Sequence, residues 1–126
     1  MNDELPRSTD PVDLRTRLRE YGLRILRLYD SLPSYGSAQI IGRQLARSGT
    51  SPGAQYREAC RAKSDADFIS KLEGALQELD ESDYWLDLLA RGSYVPSQKL
   101  ENLKTETDEL ISILVTVVRK VKARKK

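Results

Sequence analysis

Six carboxylates crowd one stretch of the chain: Glu73, Glu78, Asp80, Glu81, Asp83 and Asp87. Several fall three or four residues apart, a spacing that stacks them along one side of a helix. Carboxylates so placed are the raw material of acid–base chemistry or of a hard-metal site. A di-iron bundle, however, wants Glu-x-x-His pairs on facing helices, and the sequence has no histidine. The same absence removes His-based triads, His general bases and His metal ligands. The single cysteine, Cys60, supports neither an internal disulfide nor a Cys-rich zinc site. Arg57 and Arg61 flank it, a setting that favours a reactive thiolate; the plainer reading is a small half-buried helix residue. Ser48, Thr50 and Ser51 have no base at hand, and no Gly-rich phosphate loop is present. The acids then read as a solvated or ion-paired face. No enzyme, cofactor or metal site is expected.

Charge is more telling by segment than in total. The 126 residues carry 21 Lys and Arg against 19 Asp and Glu, a net +2. Residues 64–95 set eight acids against Lys71 and Arg91, whereas residues 37–63 set Arg43, Arg47, Arg57, Arg61 and Lys63 against Glu58 alone. From Arg119 to the end, six of eight residues are basic. Two readings follow: the acidic segment pairs with the basic ones inside a bundle or between copies, or the basic surfaces bind a polyanion. The candidate nucleic-acid contacts are Arg43, Arg47, Arg57 and Arg61, with Arg119, Lys120, Lys122 and Arg124. Acids of the same chain compete for the first four, so the last four are the safer set. No aromatic residue interleaves the basic run, so RNA or DNA would be held by its phosphates rather than by base stacking.

Helices must position these groups. The first apolar face runs Leu14, Leu18, Tyr21, Ile25, Leu28 and Leu32, in steps of four and three. It follows Asp10-Pro11, an N-cap with proline at the first helical position. Another runs Phe68, Leu72, Ala75, Leu79, Ser82, Leu86 and Leu89, interrupted only by Ser82. Ser64 or Asp65 suits its cap, and Gly92 a left-handed stop. The last runs Leu100, Leu103, Thr107, Leu110, Leu114, Val117 and Val121. Between the first and third lies an odd segment, crowded with small residues and holding Pro52. Propensity alone splits it into two short helices; the alternative is one kinked helix that a neighbour approaches closely.

Helices are thus expected over about 12–32, 37–63, 64–91 and 97–122, with short turns that make neighbours antiparallel. The fold class is all-α, an up-down four-helix bundle. Residues 1–10 form a flexible segment, 11–122 the bundle and 123–126 a basic tail. The expected core includes Leu18, Ile25, Leu45, Phe68, Leu72, Leu79, Leu86, Leu103, Leu110 and Val117. Leu26, Tyr29, Ile69, Leu76 and Trp85 lie beyond a narrow seam, and such surface is usually an interface. The polar start has Asp3, Glu4 and Asp10 against Arg7, unlike a secretory signal. The apolar stretch 110–118 is broken by Ser112 and Thr116 and too short to span a bilayer. With its lone cysteine, this reads as a soluble cytoplasmic protein with no membrane role.

The run from Gly42 to Ala59 (GRQLARSGTSPGAQYREA), with KSDADF at 63–68 and ELDESDYWL at 78–86, resembles a bacterial four-helix bundle family. That family was first named for proteins encoded in intervening sequences of 23S ribosomal RNA genes. It is related to the accessory variability determinant of diversity-generating retroelements. The resemblance covers roughly residues 12 to 120. Many relatives have an aliphatic residue in place of Pro52 and Asn in place of Gln55. Others carry the proline within a continuous helix, which favours one long second helix kinked near Ser48–Ser51. The resemblance implies a homo-oligomer, typically a pentameric barrel, without catalytic activity. The retroelement relative looks like a basic scaffold that binds a reverse transcriptase and nucleic acid, and the resemblance extends that expectation to this chain. The motif residues have their own physical reading. Arg47, Tyr56, Arg57 and Glu58 could meet Glu78, Asp80 and Glu81 in a polar network that fixes helix register.

Overall fold

The structure, a computed structural model, describes residues 11–124. The expected N-terminal segment 1–10, its Asp10 cap, and residues 125–126 lie outside the described residues. Four helices follow one another: α1 (Pro11–Ser31), α2 (Gly36–Cys60), α3 (Asp65–Arg91) and, after a short 3-10 turn (Ser97–Lys99), α4 (Glu101–Arg124). Each packs along its neighbour in sequence, and α1 meets α4 more narrowly to close the bundle.

The helix ends show local chemistry at work. Pro11 opens α1 as expected. Ser64 caps α3, its Oγ accepting from the Asp67 N–H at 3.0 Å, which satisfies one donor left free by the first turn. At the other end of α3 the expectation needs correcting. Gly92 has φ −80°, and the left-handed residue is Ser93, with φ 61°. Ser93 N–H bonds to Ala90 O and Tyr94 N–H to Leu89 O, the paired bonds of a Schellman stop. Gly92 is needed for space instead: a Cβ there would lie 2.7 Å from the Tyr94 ring and 2.9 Å from Leu88 O.

α2 is one helix, unbroken through Pro52. It stops at Cys60 rather than Lys63, as Arg61 and Ala62 turn back to the carbonyls of Glu58 and Ala59. The missing Pro52 donor is accompanied by hydroxyl bonds one turn back, Thr50 to Ala46 O at 2.8 Å and Ser51 to Arg47 O at 2.7 Å. Its small residues seat α1. A Cβ on Gly49 would stand 2.7 Å from Ile25, and one on Gly42 2.9 Å from Tyr29 and Leu32. Tertiary packing thus overrides a composition that propensity alone would call a loop.

Leu14, Leu18, Tyr21, Ile25, Leu45, Leu72, Leu79, Leu86, Leu89, Leu100, Leu110 and Leu114 are almost wholly shielded. Each such side chain contributes about 1.5–3 kcal/mol by leaving water. Two expected core residues are only half-buried, Phe68 and Val117, and Ile69 and Val118 are buried beside them. Phe68 and Val117 both line an open depression at the end of the bundle, where part of each side chain stays exposed to solvent, while Leu72 and Val121 keep the expected face. Of the apolar residues set apart as surface, Ile69 is buried, Tyr29, Leu76 and Trp85 are half-buried, and Leu26 is exposed. α4 runs through Ala123 to Arg124, two residues past the expected end of the bundle at 122. Among the described residues no helix is long and apolar enough to cross a membrane.

Candidate nucleic-acid interface

The turn between α2 and α3 and the last turns of α4 come together at one end of the bundle. A depression of about 470 Å³ there is lined by Arg15, Lys63 and Arg124, with Tyr56 and Phe68 among its walls. Arg57 and Arg61 belong to the last turns of α2, and Arg119 and Lys120 to those of α4. Arg57 and Arg61 with Arg119 and Lys120, far apart in sequence, thus share one end of the molecule, whereas Arg43 and Arg47 lie toward the start and middle of α2.

Internal pairing divides them. On α2, Arg47 donates to Glu78 at 3.1 Å and to Glu81 at 2.7 Å. Those two carboxylates hold the guanidinium's pKa above its ordinary value, the charge of Glu78 first. On α4, Lys122 reaches Glu73 at 3.1 Å and Arg124 reaches Asp65 at 3.3 Å. Arg43, Arg57, Arg61, Arg119 and Lys120 are exposed and make no ion pair among the described residues. Arg43 lies against the Gln39 amide, whose oxygen, turned toward it, accepts from Nε at 2.8 Å. The C-terminal set is therefore half engaged, and Arg57 and Arg61 are the freer pair.

The polar network expected of the motif is narrower than the seven residues named for it. Arg47, Glu78 and Glu81 form it. Glu58 instead pairs with Lys71 at 3.2 Å, Arg57 lies on the α1 side of α2, Tyr56 is buried, and Asp80 is exposed without an ion pair among the described residues. Such exposed pairs contribute little individually.

Two arrangements escaped sequence reasoning. Arg17 of α1 donates from Nε (3.1 Å) and Nη2 (2.6 Å) to Glu106, and from Nη2 to Glu109 at 2.9 Å, on α4. The hydrogen bond to Glu106 leads in raising its pKa, with burial opposing. Its only trace in sequence is two acids three residues apart on the outer flank of the α4 apolar face.

At mid-height, each helix supplies one buried hydroxyl. Ser48 Oγ lies 2.8 Å from Ser82 Oγ, Ser82 meets Tyr21, and Tyr21 Oη lies 2.7 Å from Thr107 Oγ1. Thr107 donates its one proton to Leu103 O at 2.7 Å, so Tyr21 is the donor to Thr107. Burial pushes the Tyr21 phenol up to about 12. The signal was present as the breaks in two apolar repeats, Ser82 and Thr107.

This geometry offers fixed hydroxyls, paired carboxylates and free arginines. Among the described residues no group of three Cys, Asp or Glu is placed to hold a metal ion. It defines a helical-bundle protein whose polar groups hold helices in register and present charge, and nothing in it points to an enzymatic activity. The chain belongs to the 23S rRNA-intervening sequence protein family, whose profile matches residues 13–116. It is similar to a solved protein of unknown function from the S23 ribosomal protein family of Bacteroides thetaiotaomicron VPI-5482. The two share 34% identity and a TM-score of 0.79, over 86% of this chain and 97% of that one. No curated protein matches.

Proposed function

We propose that the chain is a non-enzymatic, self-assembling scaffold that binds nucleic acid through its phosphates. The observation that carries this reading is the set of cations left over after internal pairing. Arg57 and Arg61 with Arg119 and Lys120 stand at one end of the bundle without acid partners among the described residues. Cations already bound to carboxylates would have to exchange partners to hold a phosphate; these do not. Cyclic assembly, with a pentamer as the favoured number, would repeat the basic end and make weak contacts multivalent. A nucleic-acid-processing partner such as a reverse transcriptase, in the cytoplasm, belongs to the same reading.

Fluorescence anisotropy with labelled single-stranded RNA and duplex DNA tests it. Binding at about 50 mM salt should weaken steeply as salt rises through counterion release, with little sequence preference. Arg57→Glu with Arg61→Glu should weaken binding more than Lys122→Glu with Arg124→Glu. An intact protein that binds neither polymer at that salt returns the reading to a purely protein-binding scaffold.

A further inference from the structure

The depression at the basic end is a pocket as well as a charged surface. Its volume of about 470 Å³ lies within the roughly 300–1,000 Å³ of sites that hold small organic ligands. One part of its lining is apolar. Tyr56 is buried in the wall, and Phe68 is half-buried, so part of its side chain stays open to the depression. No aromatic interrupts the C-terminal basic run, yet folding brings Phe68 of α3 into the same pocket as Arg124.

The rest of the lining is polar and cationic. Arg15, Lys63 and Arg124 stand against one acid, Asp65, so three cations and one carboxylate leave two positive charges. Arg15 and Lys63 are exposed and make no ion pair among the described residues. Arg124 gives an Nη2 donor to Asp65 at 3.3 Å. A guanidinium has five N–H donors, so this pair holds Arg124 beside the pocket without exhausting it. Ser64 Oγ accepts from the Asp67 N–H, and its own proton has no acceptor among the described residues.

We infer that this pocket receives a nucleotide bearing a phosphomonoester: the phosphorylated end of a nucleic-acid strand, or a free nucleoside monophosphate. Arg15, Lys63 and the Ser64 hydroxyl hold the phosphate, and the base lies against Phe68, a contact open to any base. Charge chooses the monoester. At neutral pH it carries about two negative charges, against about one for an internal diester, and the pocket has two positive charges to offset. A terminal base also enters a depression without bending the strand on both sides of it. Arg57, Arg61, Arg119 and Lys120 remain free for the phosphates that follow. The strand form of the inference therefore rests on the proposed function and adds an end to it; the free-nucleotide form does not.

Two measurements on the full chain test it. Anisotropy compares short single strands of one sequence, labelled on an internal base: 5′-phosphorylated, 3′-phosphorylated, hydroxyl-ended and circular. At about 50 mM salt a phosphorylated strand should bind about tenfold tighter than the hydroxyl-ended and circular forms. Arg15→Gln with Lys63→Gln should bring that ratio to about one. Phe68→Ala should reduce it without changing any charge, with circular dichroism to verify folding. Arg57→Glu with Arg61→Glu should weaken every strand and keep the ratio. Nuclear magnetic resonance titration with adenosine 5′-monophosphate reads the free nucleotide: the amides of residues 62–65 should shift at lower concentration than with adenosine or inorganic phosphate. If no strand binds but the nucleotide shifts those amides, the pocket takes the free form and the proposed function falls alone. If strands bind without regard to their ends and the nucleotide moves nothing there, the inference falls alone. Silence in both measurements removes both. The inference is also overturned by an end preference that survives Arg15→Gln with Lys63→Gln, or by inorganic phosphate acting as strongly as the nucleotide.

Discussion

The waist of the bundle and its basic end use polar residues in opposite ways. At the waist, Tyr21, Ser48, Ser82 and Thr107 face one another across all four helices and satisfy each other inside the core. At the end, Arg57, Arg61, Arg119 and Lys120 are exposed and make no ion pair among the described residues. A buried hydroxyl without a partner costs roughly 1–3 kcal/mol, so the waist tolerates only the register that closes its bonds. An exposed arginine without a partner costs almost nothing, so the end keeps its charge available. Stability should therefore respond to substitutions at the waist, and binding to substitutions at the end.

The largest effect should come from the apolar packing around the waist. Leu79→Ala, one turn before Ser82, or Leu72→Ala should lose on the order of 2–5 kcal/mol by leaving a cavity, read as a lower urea midpoint. An unchanged midpoint would mean that α3 presents a different face.

Next comes the hydroxyl layer. Tyr21→Phe removes the donor to Thr107 and should cost about 1–3 kcal/mol at neutral pH. The same substitution carries a pH signature. The folded phenol titrates at about 12 against an ordinary 10.0. Folding thus favours the protonated form, and this contribution is complete below pH 10. It is lost as pH rises from about 10 to about 12, on the order of 2–3 kcal/mol in all. Native and Tyr21→Phe stability curves should converge over that window; parallel curves would show that the phenol is not shielded in solution.

A smaller gain is expected at the α3 stop. Ser93→Gly relieves a left-handed backbone and should stabilise by about 1 kcal/mol, visible as a higher melting temperature. The smallest effect belongs to the basic end. Arg57→Glu with Arg61→Glu should leave stability within about 0.5 kcal/mol while weakening phosphate binding. A large loss of stability there would erase the contrast between the two regions.

The same contrast separates what could be read in the sequence from what could not. Helix faces were legible because burial repeats every three to four residues, and Leu72 to Leu89 shows it cleanly. The Ser64 cap was legible because capping is local. Gly92 marked the right turn for the wrong reason: its neighbour Ser93 takes the left-handed backbone, and only the position of the Tyr94 ring reveals why glycine is needed. Phe68 and Val117 fail because they line the open depression at the end of the bundle, which periodicity does not reveal. The charged candidates were legible as residues, and the pairing of Arg47 with Glu78 and Glu81 was legible from the motif, but the longer-range pairs were not. Arg17 meets Glu106 across 89 positions, and Lys122 and Arg124 meet acids of α3, distances at which spacing carries no information. Ser82 and Thr107 looked like blemishes in their repeats; they are the places where the helices recognise one another.

The order of packing has a kinetic consequence. Each helix lies against the one that precedes it in the chain, joined by a short turn, so most native contacts close small loops. Chains of this kind fold quickly, typically in microseconds to milliseconds. The join between α1 and α4 is different, because Arg17 must wait for residues 106 and 109 to arrive from the far end of the sequence. Arg17→Ala is expected to hasten unfolding while leaving the folding rate nearly untouched, the signature of a contact formed after the main barrier. Equal changes in both rates would rule this out. Arg17 is in this sense a latch, closing a bundle already assembled and lengthening the time it stays shut.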